Sequence, residues 1–312
     1  MPDVYSIGLT ARFRGIDVRE GLLLRGPAGW GEFCPFTEYD DDVCAPWLAA
    51  ALEAAEQGWP EPVRNRVPVN CIVPAVDPER AKRLTAESGC ATAKVKVADD
   101  PGSLGDDIER VAAVRDALGP RGAVRVDANG AWDVEQAVTA IRALDEAAGG
   151  LQYVEQPCAT LDELAAVRRR VDVLIAADES IRRAEDPMRV AVAQAADIAV
   201  LKCAPLGGVR RALAVAEACG LPCVVSSALQ TSVGLAGELA LAGALPELPY
   251  ACGLGTGALL STDVVELPLV PTAGWLPVPR RAPEPVLRGE VAADPERTKW
   301  WLERLDRVRT RL

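Results

Sequence analysis

Lys94 and Lys96 stand two residues apart in the apolar segment 92–97 (TAKVKV), and further apolar segments end in Asp127, Glu155, Asp178 and Lys202. In an extended strand, side chains two residues apart share a face and lie about 6–7 Å from each other. The chain contains no histidine. Ser-His-Asp and Cys-His catalysis, a histidine general base and histidine-ligated zinc are therefore excluded. Acid–base work near neutral pH falls to lysine, carboxylate, tyrosine or cysteine. Three ionised carboxylates gathered at 4 Å would repel by about 4 kcal/mol per pair at an effective dielectric near 20. A divalent cation relieves that repulsion, and oxygen-only donors point to Mg2+ (or Mn2+) rather than zinc. A lysine takes a proton only when neutral, and neighbouring ammonium groups and a dication each lower its pKa. The chemistry expected of the set is removal of a proton α to a carboxylate, with positive charge held at the oxygens of the resulting enediolate.

Each of these residues has a plainer use when taken alone. Asp127 could cap a turn toward Ala131 and Asp178 one toward Ile181, and strand-end lysines are often merely solvated. The plainer uses weaken together, because three successive segments carry acids at matching ends and the flanking segments carry lysines. Eight strand candidates cover 67–73, 92–97, 123–128, 151–156, 173–178, 197–202, 222–227 and 250–255, separated by amphipathic stretches such as GDDIERVAAVRDAL. Several are nearly continuous apolar runs, as parallel strands buried on both faces require. This alternation predicts an α/β fold, a (β/α)8 TIM barrel, whose strand C-termini would bring all six residues to one mouth. An open doubly wound sheet is the alternative. Residues 1–65 predict a small antiparallel sheet and a helix closed at Gly58, and the proline-rich tail ends in an amphipathic helix. The expected division is a barrel over 66–263 and one α+β capping domain from 1–65 plus 264–312.

Acidic residues outnumber basic ones by 45 to 34, a net charge of −11. That argues against nucleic acid or an anionic membrane as partner and leaves a small molecule. No run of eighteen apolar residues and no signal-peptide pattern occurs, so a cytoplasmic protein is expected. The nine cysteines include no C-x-x-C pair and read as reduced structural thiols.

The blocks KVK (94–96), VDANGAW, YVEQPC, AADES and VLKCAPLGGV, in this order, resemble the muconate-lactonizing subgroup of the enolase superfamily. That superfamily pairs a Lys or His base with Mg2+. The resemblance implies a modified (β/α)8 barrel under a capping domain made from both chain ends. It implies Asp127, Glu155 and Asp178 as Mg2+ ligands, supported by Asn129 and Glu179. Lys96 would be the base, Lys202 would stand on the opposite face of the substrate, and Lys94 would assist. The segments 224–236 and 252–264, with REG (19–21) and WGEFCPF (30–36), resemble the o-succinylbenzoate synthase family. The substrate implied is a dicarboxylate, with Ser226, Ser227, Gly253 and Gly255 around its succinyl tail. The same core motifs suit a racemase of N-succinylamino acids or a dipeptide epimerase. The stretch GLGTG lacks the acidic pair expected for the latter. A Schiff-base aldolase using Lys202 would leave the three acids unexplained.

Overall fold

The structure is a computed structural model that describes residues 2–100, 102–182, 194–287 and 289–312. The chain begins with an antiparallel sheet of β1 (Asp3–Phe13), β2 (Ile16–Gly26) and β3 (Gly29–Phe33). Phe13 pairs with Ile16 across the two-residue turn Arg14 and Gly15, whose φ values are 52° and 77°. Two left-handed residues match the right-handed twist of a hairpin, and glycine takes one of them without strain. The helix Asp41–Leu52 follows, capped by Asp40, which accepts from Val43 N.

Seven parallel strands form the central sheet. They are β5 (Cys71–Val73), β6 (Thr92–Lys96), β7 (Ala123–Asp127), β8 (Leu151–Glu155), β9 (Ile175–Ala177), β10 (Ile198–Leu201) and β11 (Cys223–Val225), each beside its sequence neighbour. The sheet closes on itself through residues 250–255, which form no regular strand. Cys252 bridges Val69 on one side and Gly253 bridges Ser226 on the other. Cys252 N donates to Pro68 O (2.7 Å), Asn70 N to Cys252 O (2.9 Å) and Gly253 N to Val225 O (2.8 Å). The expected first strand, 67–73, is divided at Asn70. Its first part, β4 (Arg66–Pro68), pairs antiparallel with β12 (Trp275–Pro277) from the tail. The alternation that gives strands one inward and one outward face places Tyr153, Ala176, Ile198, Val200 and Val224 together in an interior cluster, with Tyr250 against it. Arg125, fully buried, reaches Tyr153 Oη (2.9 Å) and the Ala251 carbonyl (2.7 Å) from the same side.

The tail serves both parts of the molecule. Beyond β12 it bridges Ala292 to Tyr5 and ends in the helix Pro295–Arg309. There the buried Arg304 donates to the carbonyls of Phe36 (3.0 Å) and Tyr39 (2.5 Å). The N-terminal sheet is fastened to the barrel by buried polar groups. Glu32 accepts from Thr231 N (3.2 Å), Thr231 Oγ1 (2.8 Å) and Gly234 N (2.7 Å), and Arg19 Nε donates to Leu229 O (2.9 Å). Glu53 accepts from Val209 N (2.5 Å) and Arg210 N (3.2 Å). Both carboxylates meet helix N-termini, where free N–H groups and the helix dipole favour negative charge. One hydrophobic cluster runs through Val4, Leu22 and Trp47 into Val124, Val154 and Leu201. All nine cysteines are buried and free. Among the described residues no helix is long and apolar enough to cross a membrane.

Candidate active site

Strand register places the acids. Lys96 pairs with Asp127, Asp127 with Glu155, and Glu155 with Ala176. Barrel strands tilt, so the next inward side chain at the mouth comes two residues later, at Asp178, and then at Lys202 beyond β10. The five strands β6 to β10 thus present Lys96, Asp127, Glu155, Asp178 and Lys202 in order around one end. Lys96 and Lys202 stand four strands apart, across the barrel, with the acids on the strands between them.

The three carboxylates are each 1 % exposed and the lysines fill the space among them. Lys94 Nζ lies 2.5 Å from Glu155 Oε1 and 2.9 Å from Asp127 Oδ2. Lys96 Nζ lies 2.6 Å from both Asp127 Oδ2 and Asn129 Oδ1, and Lys202 Nζ 2.5 Å from Asp178 Oδ2. Burial alone would lower the Lys94 pKa, but Asp127 and Glu155 outweigh it and raise the value. The lowering expected from crowded positive charge is thus reversed at Lys94, because each ammonium faces a carboxylate before it faces another ammonium. Burial would raise Asp127, yet Lys94 and Lys96 hold it below the usual carboxylate range. Glu155 is pushed up to about 7, first by burial and then by the charge of Asp127. Among the described residues no three acids converge on one point, since ammonium groups stand between them. The donor set nonetheless fits a hard divalent cation: buried, oxygen-only and drawn from three adjacent rigid strands.

The turns beyond the strands keep these side chains in place. Asn129, at φ 49°, donates its backbone N–H to Asp127 Oδ1 (3.0 Å) and Nδ2 to Glu179 Oε1 (3.3 Å), so both expected supporting residues lie beside the acids. Ala98, Gln156 and Leu229 also have positive φ at strand ends facing the site. Strained backbone of this kind clusters where neighbouring structure holds it for function. Gln156, fully buried, accepts from Asp178 N (3.0 Å) and Ser180 N (3.2 Å) and donates to Cys158 O (2.9 Å). It ties the β8 turn to the Asp178 turn. Its place in YVEQPC carries no local sign of that part, because both donors lie more than twenty residues further along the chain.

The cavity at the mouth is bounded by Lys94, Lys96, Lys202, Ser226 and Ser227 from the barrel and by Phe13, Arg14 and Phe36 from the N-terminal sheet. A wider cleft of about 860 Å3 leads to it past residues 12–15, Asn129 and Glu179. The narrower cavity holds the acid–base groups, and the cleft serves as its approach. Ser227 Oγ meets Thr256 Oγ1 at 2.5 Å, and Thr256 lines the cavity as well. Gly253 and Gly255, expected around a substrate tail, do not line it. Their lack of a side chain serves closure of the barrel. A Cβ on Gly253 would come 2.6 Å from Ser226 Oγ, and one on Gly255 2.7 Å from the Asn70 carbonyl oxygen. Arg14 stacks on Phe36 with its guanidinium carbon 4.0 Å from the ring centre. The Arg14–Gly15 turn carries Phe13 and Arg14 inward, and Phe36 closes the WGEFCPF block just beyond β3.

Residues 77–283 match the family model described as enolase C-terminal domain-like, and residues 4–55 the one described as enolase N-terminal domain-like. The chain is 65 % identical to the o-succinylbenzoate synthase of Thermobifida fusca, covering 93 % of this chain and 91 % of that protein. It is 55 % identical to the o-succinylbenzoate synthase of Mycolicibacterium smegmatis over 97 % of this chain and 93 % of the relative. Among solved structures it resembles the L-Ala-D/L-Glu epimerase of Bacillus subtilis (TM-score 0.77, 23 % identity, covering 94 % and 98 % of the two chains). It also resembles the muconate lactonizing enzyme of Pseudomonas putida (TM-score 0.73, 21 % identity, 96 % and 98 %). The last two likenesses establish the barrel fold with its N-terminal partner domain. The strand-end constellation and the extent of these matches lead to one conclusion: the chain belongs to the enolase superfamily and, within it, to the o-succinylbenzoate synthase family.

Proposed function

We propose that this enzyme is a lyase that dehydrates 2-succinyl-6-hydroxy-2,4-cyclohexadiene-1-carboxylate to o-succinylbenzoate, the step that makes the ring aromatic in menaquinone biosynthesis. The observation that carries the proposal is the placing of Lys96 and Lys202 on opposite sides of the mouth, with Asp127, Glu155 and Asp178 on the three strands between them. Asp127, Glu155 and Asp178 would hold Mg2+. Bound there, the cation supplies the positive charge that a carboxylate needs as its α proton leaves. Lys96, in its neutral form, takes the proton α to the ring carboxylate and then returns it to the departing hydroxide, which leaves as water. Lys202 stays protonated on the other face and steadies the enediolate. Lys94, buried between Asp127 and Glu155, keeps those two carboxylates apart and aligned. Asn129 holds Asp127 through its backbone N–H and meets Lys96 Nζ through its side-chain oxygen, orienting both base and acid. Phe13 and Phe36 cover the reacting ring and keep water out, while Ser226, Ser227 and Thr256 offer hydroxyls to the succinyl end.

A second reading rests on the same symmetry. Two lysines facing each other across a substrate also suit removal of a proton from one face and its return to the other, as a racemase of N-succinylamino acids requires. A steady-state assay with Mg2+, following loss of the cyclohexadiene as the aromatic product forms, separates the two. The dehydration reading expects kcat/KM above about 10⁴ M⁻¹s⁻¹. Excess EDTA abolishes it, and Lys96→Ala and Lys202→Ala each lower it by about 10²–10⁴-fold. Negligible dehydration beside rapid racemisation of an N-succinylamino acid would reverse the assignment.

A further inference from the structure

Several helices that follow strands here begin on a residue that caps them. Asp77, Asp133, Thr160 and Thr231 each accept a hydrogen bond from their own first turn. The turn after β10 has no such residue, because its N-cap position is occupied by Lys202, whose side chain has no acceptor. The first N–H groups of the helix Cys203–Leu206 are buried, and each would cost about 1–3 kcal/mol if left unpaired. The acceptor comes instead from the helix Ser232–Ala244. Glu238 Oε2 accepts from Cys203 N at 2.6 Å and Oε1 from Ala204 N at 3.4 Å. Glu238 is 0 % exposed and is the single charged residue in a helix of otherwise small, aliphatic and hydroxyl side chains. Its Oε1 also accepts from Gln230 Nε2 (3.0 Å), while Gln230 Oε1 accepts from Ala228 N (2.8 Å). One carboxylate therefore joins the Lys202 turn to residues 226–229, the adjoining wall of the cavity.

We infer that Glu238 is a positioning residue for Lys202: it caps, from a separate helix, the turn that a catalytic lysine at the N-cap position cannot cap for itself. A serine or aspartate at position 202 would satisfy the turn but remove the ammonium. Moving the acceptor to Glu238 lets the strand end carry the lysine while the backbone beneath it stays fixed. Glu238 touches no reacting atom, so its effect must pass through Lys202 and the 226–229 wall. The inference rests on the part proposed above for Lys202.

Two variants separate reach from charge. Glu238→Gln keeps an oxygen at the same distance, whereas Glu238→Asp keeps the charge but withdraws the acceptor by one methylene. Glu238→Asp is expected to lower kcat on the order of 10- to 100-fold, the size of loss that follows displacement of a catalytic group by about 1 Å. KM and Mg2+ affinity should stay within about threefold, and Glu238→Gln should keep kcat within about threefold of wild type. In a Lys202→Arg background, Glu238→Asp should cost nothing further, because the group it positions has already been displaced. Wild-type kcat in Glu238→Asp, or an equal loss in both backgrounds, would overturn the inference. Should the wild-type enzyme not dehydrate the cyclohexadiene, the functional proposal fails on that control. The same cycle, read from exchange of the α proton of an N-succinylamino acid in D2O, then decides the part of Glu238.

Discussion

At the scale of single residues, the site is an arrangement of buried charge in which each carboxylate is paired and each pair lies on rigid backbone. Asp178 takes its partner from the other side of the mouth: its carboxylate meets Lys202, away from Lys96. Asp178→Asn keeps the shape and removes one negative charge from the donor set, so Mg2+ affinity measured by calorimetry should fall at least about tenfold. Unchanged affinity would remove Asp178 from the ligand set. Glu238 gives a second expectation, on stability. Its carboxyl is pushed up from 4.5 to about 7 by burial, against the opposing pull of the Cys203 N–H and Gln230. A raised carboxyl pKa means that the folded state binds the proton more tightly than the unfolded one. The stabilisation is complete below about pH 4.5 and is lost as pH rises through 7, an amount of about 3 kcal/mol. In Glu238→Gln that increment disappears, so the difference in urea stability between wild type and variant should change by this order between pH 4.5 and 8. The strand-end acids and lysines were legible in the chain because their type and spacing are local properties. Glu238 also left a trace, as the lone charge in SVGLAGELALAGA, but its partner Cys203 lies 35 residues away and only folding joins them.

At the scale of elements, the strands and helices follow from alternation and capping, and the departures occur where the barrel closes. Segment 250–255 carries a strand-like pattern, yet it makes only isolated bridges to Val69 and Ser226. Its glycines let it approach both neighbours more closely than a side chain would permit. Gly255→Ala would set a Cβ 2.7 Å from the Asn70 carbonyl, which is backbone and cannot swing aside. The expected cost is about 1–3 kcal/mol in urea unfolding, with a fall in activity through displacement of Thr256. Wild-type stability in this variant would mean that the closure is looser than these contacts imply. The expected strand 67–73 divides at Asn70 for a related reason. Its first part is drawn into antiparallel pairing with β12, a partner about 200 residues away that no local pattern announces.

At the scale of the whole molecule, the N-terminal sheet and the barrel share one hydrophobic cluster and a set of buried polar contacts, so they are expected to unfold together. Glu32 is central to that junction. Replacing it by leucine strands the Thr231 and Gly234 N–H groups, the Thr231 hydroxyl and the Tyr5 hydroxyl that now point at it. Glu32→Leu should lower stability by at least about 2–3 kcal/mol while leaving a single transition with an unchanged urea slope. A second transition would mean that sheet and barrel unfold as separate units. The chain's own pattern settles the β/α alternation, the oxygen-and-amine character of the site and the exclusion of histidine chemistry, since these depend on residue type and short-range period. Tertiary structure alone decides that Phe13, Arg14 and Phe36 cover the mouth and that Glu32, Glu53 and Glu238 cap helices from other elements. Those facts depend on strand tilt, barrel closure and contacts between residues far apart in the chain, and a local sequence pattern carries no record of such distances.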